Sequence, residues 1–214
     1  MTWIKICGIT NLEDAKTAVD LGADALGFIF APSKRRVEPE KAREICKGLP
    51  ERIEKIGVFV DRDLNEVKEI AALCKLTGLQ FHGKETSEYC REFNKAYMVI
   101  KAFRVDGKKG WGEIPAYIRA KVVHRILLDT YVQGMSGGTG RTFPWTLVKG
   151  KDWGNIPVII AGGINPSNAA EAIREACPFG IDVGSGVERE PGQKDREKLK
   201  KLICGVKNFY KQQP

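Results

Sequence analysis

Ala161-Gly162-Gly163-Ile164-Asn165 and Gly184-Ser185-Gly186-Val187-Glu188 are two glycine turns late in the chain, and each follows a short apolar run, 157–161 and 181–183. A buried parallel strand reads as such a run. An open doubly wound sheet would usually carry its glycine fingerprint after the first strand. Here the glycine-rich turns follow the last three strands, which favours strands closing into a barrel.

Working outward, the same unit recurs along the chain. Strands are expected at 3–7, 25–30, 55–60, 79–82, 98–103, 125–129, 157–161 and 181–183. Between them lie amphipathic stretches at 11–21, 39–49, 64–74 and 86–94, a weakly patterned segment at 106–120, and a short helix at 143–148. Thr10 and Glu13 are spaced as a capping box, Pro39 suits a first helical turn, and Asp63 with Glu66 marks a helix start. Asn165 is expected to cap the next helix, with Pro166 at its first position. A Lys-rich helix over 194–211 closes the chain, with Leu199, Leu202, Ile203, Val206, Phe209 and Tyr210 on its inner face and the lysines on its solvated face. Eight strand–helix units predict an α/β fold, a (β/α)8 or TIM barrel, as one domain spanning 1–214.

Composition narrows the function classes. The chain has 214 residues, 43% hydrophobic and 29% charged, as expected of a globular protein with a substantial core. No run approaches the ~20 apolar residues of a membrane helix, so no membrane partner is expected. The start, Met1-Thr2-Trp3-Ile4-Lys5, lacks the pattern of a secretory signal, and the expected location is cytoplasmic. Cysteines stand at 7, 46, 74, 90, 177 and 204 with no Cys-x-x-Cys, and histidines only at 82 and 124. That pattern points to free thiols, mostly in the core, and to no metal site. The net charge of +8 suits attraction of an anionic small molecule, and the lysines along helices argue against nucleic acid as partner.

Candidate site residues sit at strand ends. Cys7 ends the first strand in Lys5-Ile6-Cys7-Gly8-Ile9-Thr10, where a thiol can act as base or nucleophile, or simply pack. Asp129 ends Ile126-Leu127-Leu128-Asp129, where a carboxyl can hold and donate a proton, or bond local backbone N–H groups. Arg35 and Arg36, in the loop after the second strand, can grip a carboxylate in two-point fashion or face solvent. Gly162, Gly163, Ser185 and Gly186 form the two late loops that often hold phosphate in such barrels, through close-approaching backbone N–H groups. The loop Gly134-Met135-Ser136-Gly137-Gly138-Thr139-Gly140-Arg141-Thr142 departs from a Walker loop at Met135 and Arg141. Gly137, Gly138 and Gly140 make it either a cover over substrate or a plain connection. Asp61, Asp182 and His82 rank second, since each could equally orient loops.

The motifs, taken in order, resemble one family. They are Lys5-Ile6-Cys7-Gly8-Ile9-Thr10, Gly22-Ala23-Asp24-Ala25-Leu26-Gly27-Phe28, Ser33-Lys34-Arg35, Gly57-Val58-Phe59-Val60 and Leu79-Gln80-Phe81-His82-Gly83. Leu128-Asp129, Gly137-Gly138-Thr139-Gly140-Arg141-Thr142-Phe143, Ala161-Gly162-Gly163-Ile164-Asn165-Pro166 and Asp182-Val183-Gly184-Ser185-Gly186-Val187-Glu188 follow. The set resembles the phosphoribosylanthranilate isomerases of tryptophan biosynthesis over nearly the whole chain. The resemblance implies a (β/α)8 barrel and an Amadori rearrangement of a phosphosugar without metal or cofactor. It implies Cys7 as general base, Asp129 as general acid and Arg35 on the anthranilate carboxylate, with Arg36 the neighbouring alternative. Gly184 replaces a common serine and Phe81 a common leucine. A histidine-pathway isomerase is the nearest rival, though that chemistry usually runs on two aspartates. A non-catalytic phosphate-ligand or nucleic-acid binding protein on the same fold is the other. A monomer is the default expectation, with a homodimer the alternative.

Overall fold

Strands that are apolar on both faces need cover on both sides, and helices outside a closed barrel supply it. A computed structural model of the protein describes residues 1–130 and 142–209. Its eight parallel strands are β1 (Trp3–Cys7), β2 (Ala25–Ile29), β3 (Glu54–Phe59), β4 (Gly78–Phe81), β5 (Met98–Val105), β6 (Arg125–Thr130), β7 (Val158–Ile160) and β8 (Gly180–Val183). They pair in chain order and close through β1 and β8, so that Ile6 lies opposite Leu26 on one side and Val183 on the other. Among the described residues the helices are α1 (Leu12–Leu21), α2 (Pro39–Lys47), α3 (Leu64–Cys74), α4 (Ser87–Arg91), α5 (Ile114–Ala120), α6 (Ala169–Ala176) and α7 (Arg196–Phe209).

Alternation along the strands makes two cores. Ile4, Ile6, Leu26 and Phe28 point outward and join the helix residues Ala15, Ala18, Leu199, Leu202, Ile203 and Val206. Trp3, Ala25, Ile56, Ile100, Ala102, Leu127, Ile159 and Ala161 fill the barrel interior. Truncating a buried Leu or Ile in either core would remove about 2–5 kcal/mol of stability.

Several local expectations are corrected. Asn11, not Thr10, caps α1: its Oδ1 accepts from the Asp14 amide at 2.8 Å, while the Thr10 hydroxyl is engaged by the Gly192 carbonyl. Asn165 does not cap α6. Its Oδ1 accepts from the Ser167 amide at 2.8 Å in a local turn that takes in Pro166, and α6 begins after Asn168. The helix expected at 86–94 contracts to α4, and 143–148 to a single 3₁₀ turn, Trp145–Leu147. In 106–120 the Asp106 carboxylate accepts from the Lys108 and Lys109 amides, and helix forms only over α5. Pro39 at the start of α2 and the Asp63 cap on α3 are as expected.

The chain end departs most. Lys194 is not on a solvated helix face. It lies in a hairpin of β9 (Glu188–Glu190) and β10 (Gln193–Lys194), before α7 begins, and its side chain is buried. Tyr210 lies outside the described residues, as does the loop carrying Gly137, Gly138 and Gly140. Among the described residues no helix is long and apolar enough to cross a membrane.

Candidate active site

At the C-terminal end of the barrel the inward positions turn polar. The lowest of these is Lys5, fully buried, which sequence reasoning passed over. Its Nζ donates to Gln80 Oε1 and to Asp182 Oδ2, each at 2.8 Å. Burial works against the charge, but Asp182 and Cys7 more than offset it, and the pKa of Lys5 stands above its ordinary value. The signal was present: a lysine set between Ile4 and Ile6 in an apolar strand, two residues before Cys7 and therefore on the same face.

Cys7 ends β1 half-buried on the cavity wall. Burial pushes its thiol up and outweighs the rest: the Lys5 ammonium pulls it down, Asp182 opposes that, Lys194 again favours the thiolate, and the thiol stands above its ordinary value. Gly27 on the neighbouring strand makes room. A Cβ there would stand 2.8 Å from Cys7 Sγ and 3.0 Å from Lys5 Cε.

Asp129, next to last in β6, lines the same cavity. Its Oδ1 accepts from the Thr130 amide at 2.9 Å, and Oδ2 faces His82 Nε2 at 3.4 Å. Lysine can only donate, so Lys5 fixes Gln80 with Oε1 toward itself and the amide nitrogen toward His82 Nδ1, 3.4 Å away. Nδ1 is then the acceptor, and Nε2 stands near Asp129 without making a hydrogen bond. A polar chain thus runs beneath the cavity from the neighbour of Cys7 to Asp129.

Arg35 also lines the cavity, whereas Arg36 pairs with Glu38 on the exposed surface. Arg35 is held by Glu188, which accepts from Nε at 2.9 Å and from Nη2 at 2.7 Å. Glu188 in turn accepts from Lys194 Nζ at 2.9 Å. That ammonium also donates to the Cys7 and Gly184 carbonyls, tying the ends of β1 and β8 together. Sequence reasoning gave Glu188 no role, although it sits in a quoted motif. Asp61 lies off the main cavity, its backbone amide bonded to Glu85, and serves loop geometry.

Gly162, Gly163, Ser185 and Gly186 line the same cavity as Cys7 and Asp129. Gly162 and Gly163 have φ of +82° and +69°, which side chains rarely adopt, and a Cβ on Gly162 would collide with Thr130. A short 3₁₀ turn, Ser185–Val187, follows β8. Among the described residues no group of three His, Cys, Asp or Glu side chains is set to hold a metal ion.

Comparison with known proteins gives the family and the fold. The family described as N-(5'phosphoribosyl)anthranilate (PRA) isomerase matches residues 4–204. The N-(5'-phosphoribosyl)anthranilate isomerase of Desulforudis audaxviator is 49% identical over 205 residues, covering 95% of this chain and 97% of its own. The crystal structure of phosphoribosyl anthranilate isomerase from Thermotoga maritima superposes with a TM-score of 0.88 at 39% identity, covering 97% of this chain and 100% of its own. Another such isomerase was solved in complex with reduced 1-(o-carboxyphenylamino)-1-deoxyribulose 5-phosphate; it is 37% identical, with a TM-score of 0.85 and coverage of 97% and 100%. With its matched residues spanning the barrel from β1 into α7, this chain belongs to the N-(5'-phosphoribosyl)anthranilate isomerase family.

Proposed function

We propose that the protein converts N-(5-phosphoribosyl)anthranilate to 1-(2-carboxyphenylamino)-1-deoxyribulose 5-phosphate, an Amadori rearrangement in tryptophan biosynthesis. The observation that carries this reading is that Cys7, Asp129, Arg35 and the two glycine loops line one cavity. The substrate needs an acid, a base, a grip on a carboxylate and a grip on a phosphate, and each has a fitting group here. The relative bound to a reduced form of that product supports the same reading.

In this mechanism Asp129 gives its proton to the furanose ring oxygen. The bond from that oxygen to the anomeric carbon breaks, and the aniline nitrogen supplies the electron pair that makes an iminium. Cys7, as thiolate, removes the proton from C2 of the sugar, and the C–H electrons flow into the iminium to give an enolamine. Tautomerisation then yields the aminoketone. The iminium is the electron sink, so one acid and one base suffice when both are held against the reacting atoms.

Arg35 binds the anthranilate carboxylate. Glu188 takes Nε and one Nη2 proton, which leaves the far edge of the guanidinium for a two-point contact. Gly162, Gly163, Ser185 and Gly186 bind the phosphate through backbone N–H groups and the Ser185 hydroxyl.

The test is a fluorescence assay with phosphoribosylanthranilate generated in situ. Loss of substrate fluorescence with wild type and none with Cys7→Ala is the expected result. No turnover by folded wild type would overturn the reading and direct attention to the histidine-pathway substrate.

A further inference from the structure

Cys7 poses a problem that the acid–base pair does not solve. A base must be unprotonated, yet burial favours the neutral thiol. The charged groups that face it from each packed element are Lys5 on its own strand, Asp182 on β8, Lys194 on β10 and Arg35 after β2. Lys194 and Arg35 are both engaged by Glu188, which balances part of their charge. Lys5 lies directly beneath the thiol. Its Cε and Cys7 Sγ both come within 3.0 Å of the point where a Gly27 Cβ would stand.

We propose that Lys5 is a positioning residue that favours the thiolate of Cys7 against the cost of its burial, and that Asp182 and Gln80 fix Lys5 for that task. The inference rests on the reading of Cys7 as base. Three features carry it. Lys5 has no exposure, so its ammonium is not screened by water. Asp182 and Gln80 each accept from Nζ at 2.8 Å, which fixes the cation against thermal wandering and leaves one donor. Gly27 is the residue that lets the sulfur and the end of the lysine stem share one space. Packing alone does not call for a lysine here, because an apolar side chain would fill that position without a buried charge pair. Lys5 gives up no proton in the cycle; the proton taken from the sugar resides on sulfur.

The test reads the thiol directly. Iodoacetamide labelling of the Cys7 peptide, followed by mass spectrometry against pH, reports the thiolate fraction. Cys46, Cys74 and Cys90 are buried, with thiols pushed up to about 12, 11 and 12, and the peptide readout separates Cys177 and Cys204. Lys5→Met keeps the stem and removes the charge. Lys5→Met/Asp182→Asn also removes the stranded carboxylate and guards against unfolding. In folded Lys5→Met the labelling midpoint is expected to move up by about one pH unit, a tenfold lower thiolate fraction below the midpoint, and in the double variant to move up less, because Asp182 itself opposes the thiolate. The value of kcat should fall at least tenfold while KM stays within about twofold. An unmoved midpoint in a folded variant, with Cys7→Ala inactive, would overturn the role of Lys5 alone. Wild-type turnover by Cys7→Ala would instead overturn the base assignment on which it rests.

Discussion

The guanidinium of Arg35 is seated on the carboxylate of Glu188, Nε lying 2.9 Å from each oxygen and Nη2 2.7 Å from Oε2. Such a side-on pair sets the plane of the arginine before any ligand arrives. Glu188→Gln is expected to raise KM about tenfold, because the charge pairing is lost and the amide NH2 would face donors on Arg35 and Lys194, while kcat changes less than about twofold. Arg35→Met should raise KM further. Steady-state kinetics decides, and an unchanged KM in Arg35→Met would move the carboxylate contact elsewhere.

The same carboxylate links stability to acid. Burial pushes the Glu188 pKa up, but Arg35 and Lys194 outweigh it and hold the group below the usual carboxylate range. A depressed folded pKa stabilises the fold above the unfolded value of about 4.3 and loses that contribution as pH falls through the lower folded value. Thermal melts between pH 6 and pH 3 should therefore show Tm falling less steeply below about pH 4.3 in Glu188→Gln than in wild type.

Cys7→Ala and Asp129→Asn are each expected to lower kcat by at least 10²–10⁴-fold, the usual worth of a general acid or base. Both residues sit on the cavity wall rather than between packed elements, so circular dichroism and Tm should stay close to wild type. Near-normal turnover in either would remove its assigned role.

Gly27→Ala tests the crowded end of β1. The added methyl would meet Cys7 Sγ at 2.8 Å and Lys5 Cε at 3.0 Å. Overpacking of that kind typically costs about 1–3 kcal/mol. Stability to urea should drop by that amount, and kcat should drop with it because the sulfur is displaced from the substrate.

Gly184→Ser tests the phosphate end. The nearest atom to a Cβ there is the Cys7 carbonyl oxygen at 3.8 Å, so there is room for a side chain. If the β8 loop binds phosphate, the added hydroxyl should lower KM a few-fold with kcat unchanged. Competition by inorganic phosphate should tighten in parallel.

The alternation of strand and helix, the barrel and the places of Cys7, Asp129 and the two glycine loops were legible in sequence, because hydrophobic periodicity and turn chemistry are local properties. The choice of Arg35 over Arg36 came from the family resemblance and not from the residues taken alone, since the two differ only in which way one loop points each guanidinium. Lys5 was passed over and Lys194 placed on a solvated face for the same reason. A lysine in a strand or near a helix reads as exposed until its partners are known, and those partners are remote: Gln80 and Asp182 lie 75 and 177 residues from Lys5, and Cys7 lies 187 from Lys194. The sequence by itself determined which elements form and what chemistry stands at their ends. Only the closed barrel decided which charges are buried together, because burying a cation requires acceptors from several strands at once, and closure of β1 against β8 is what brings them to one point.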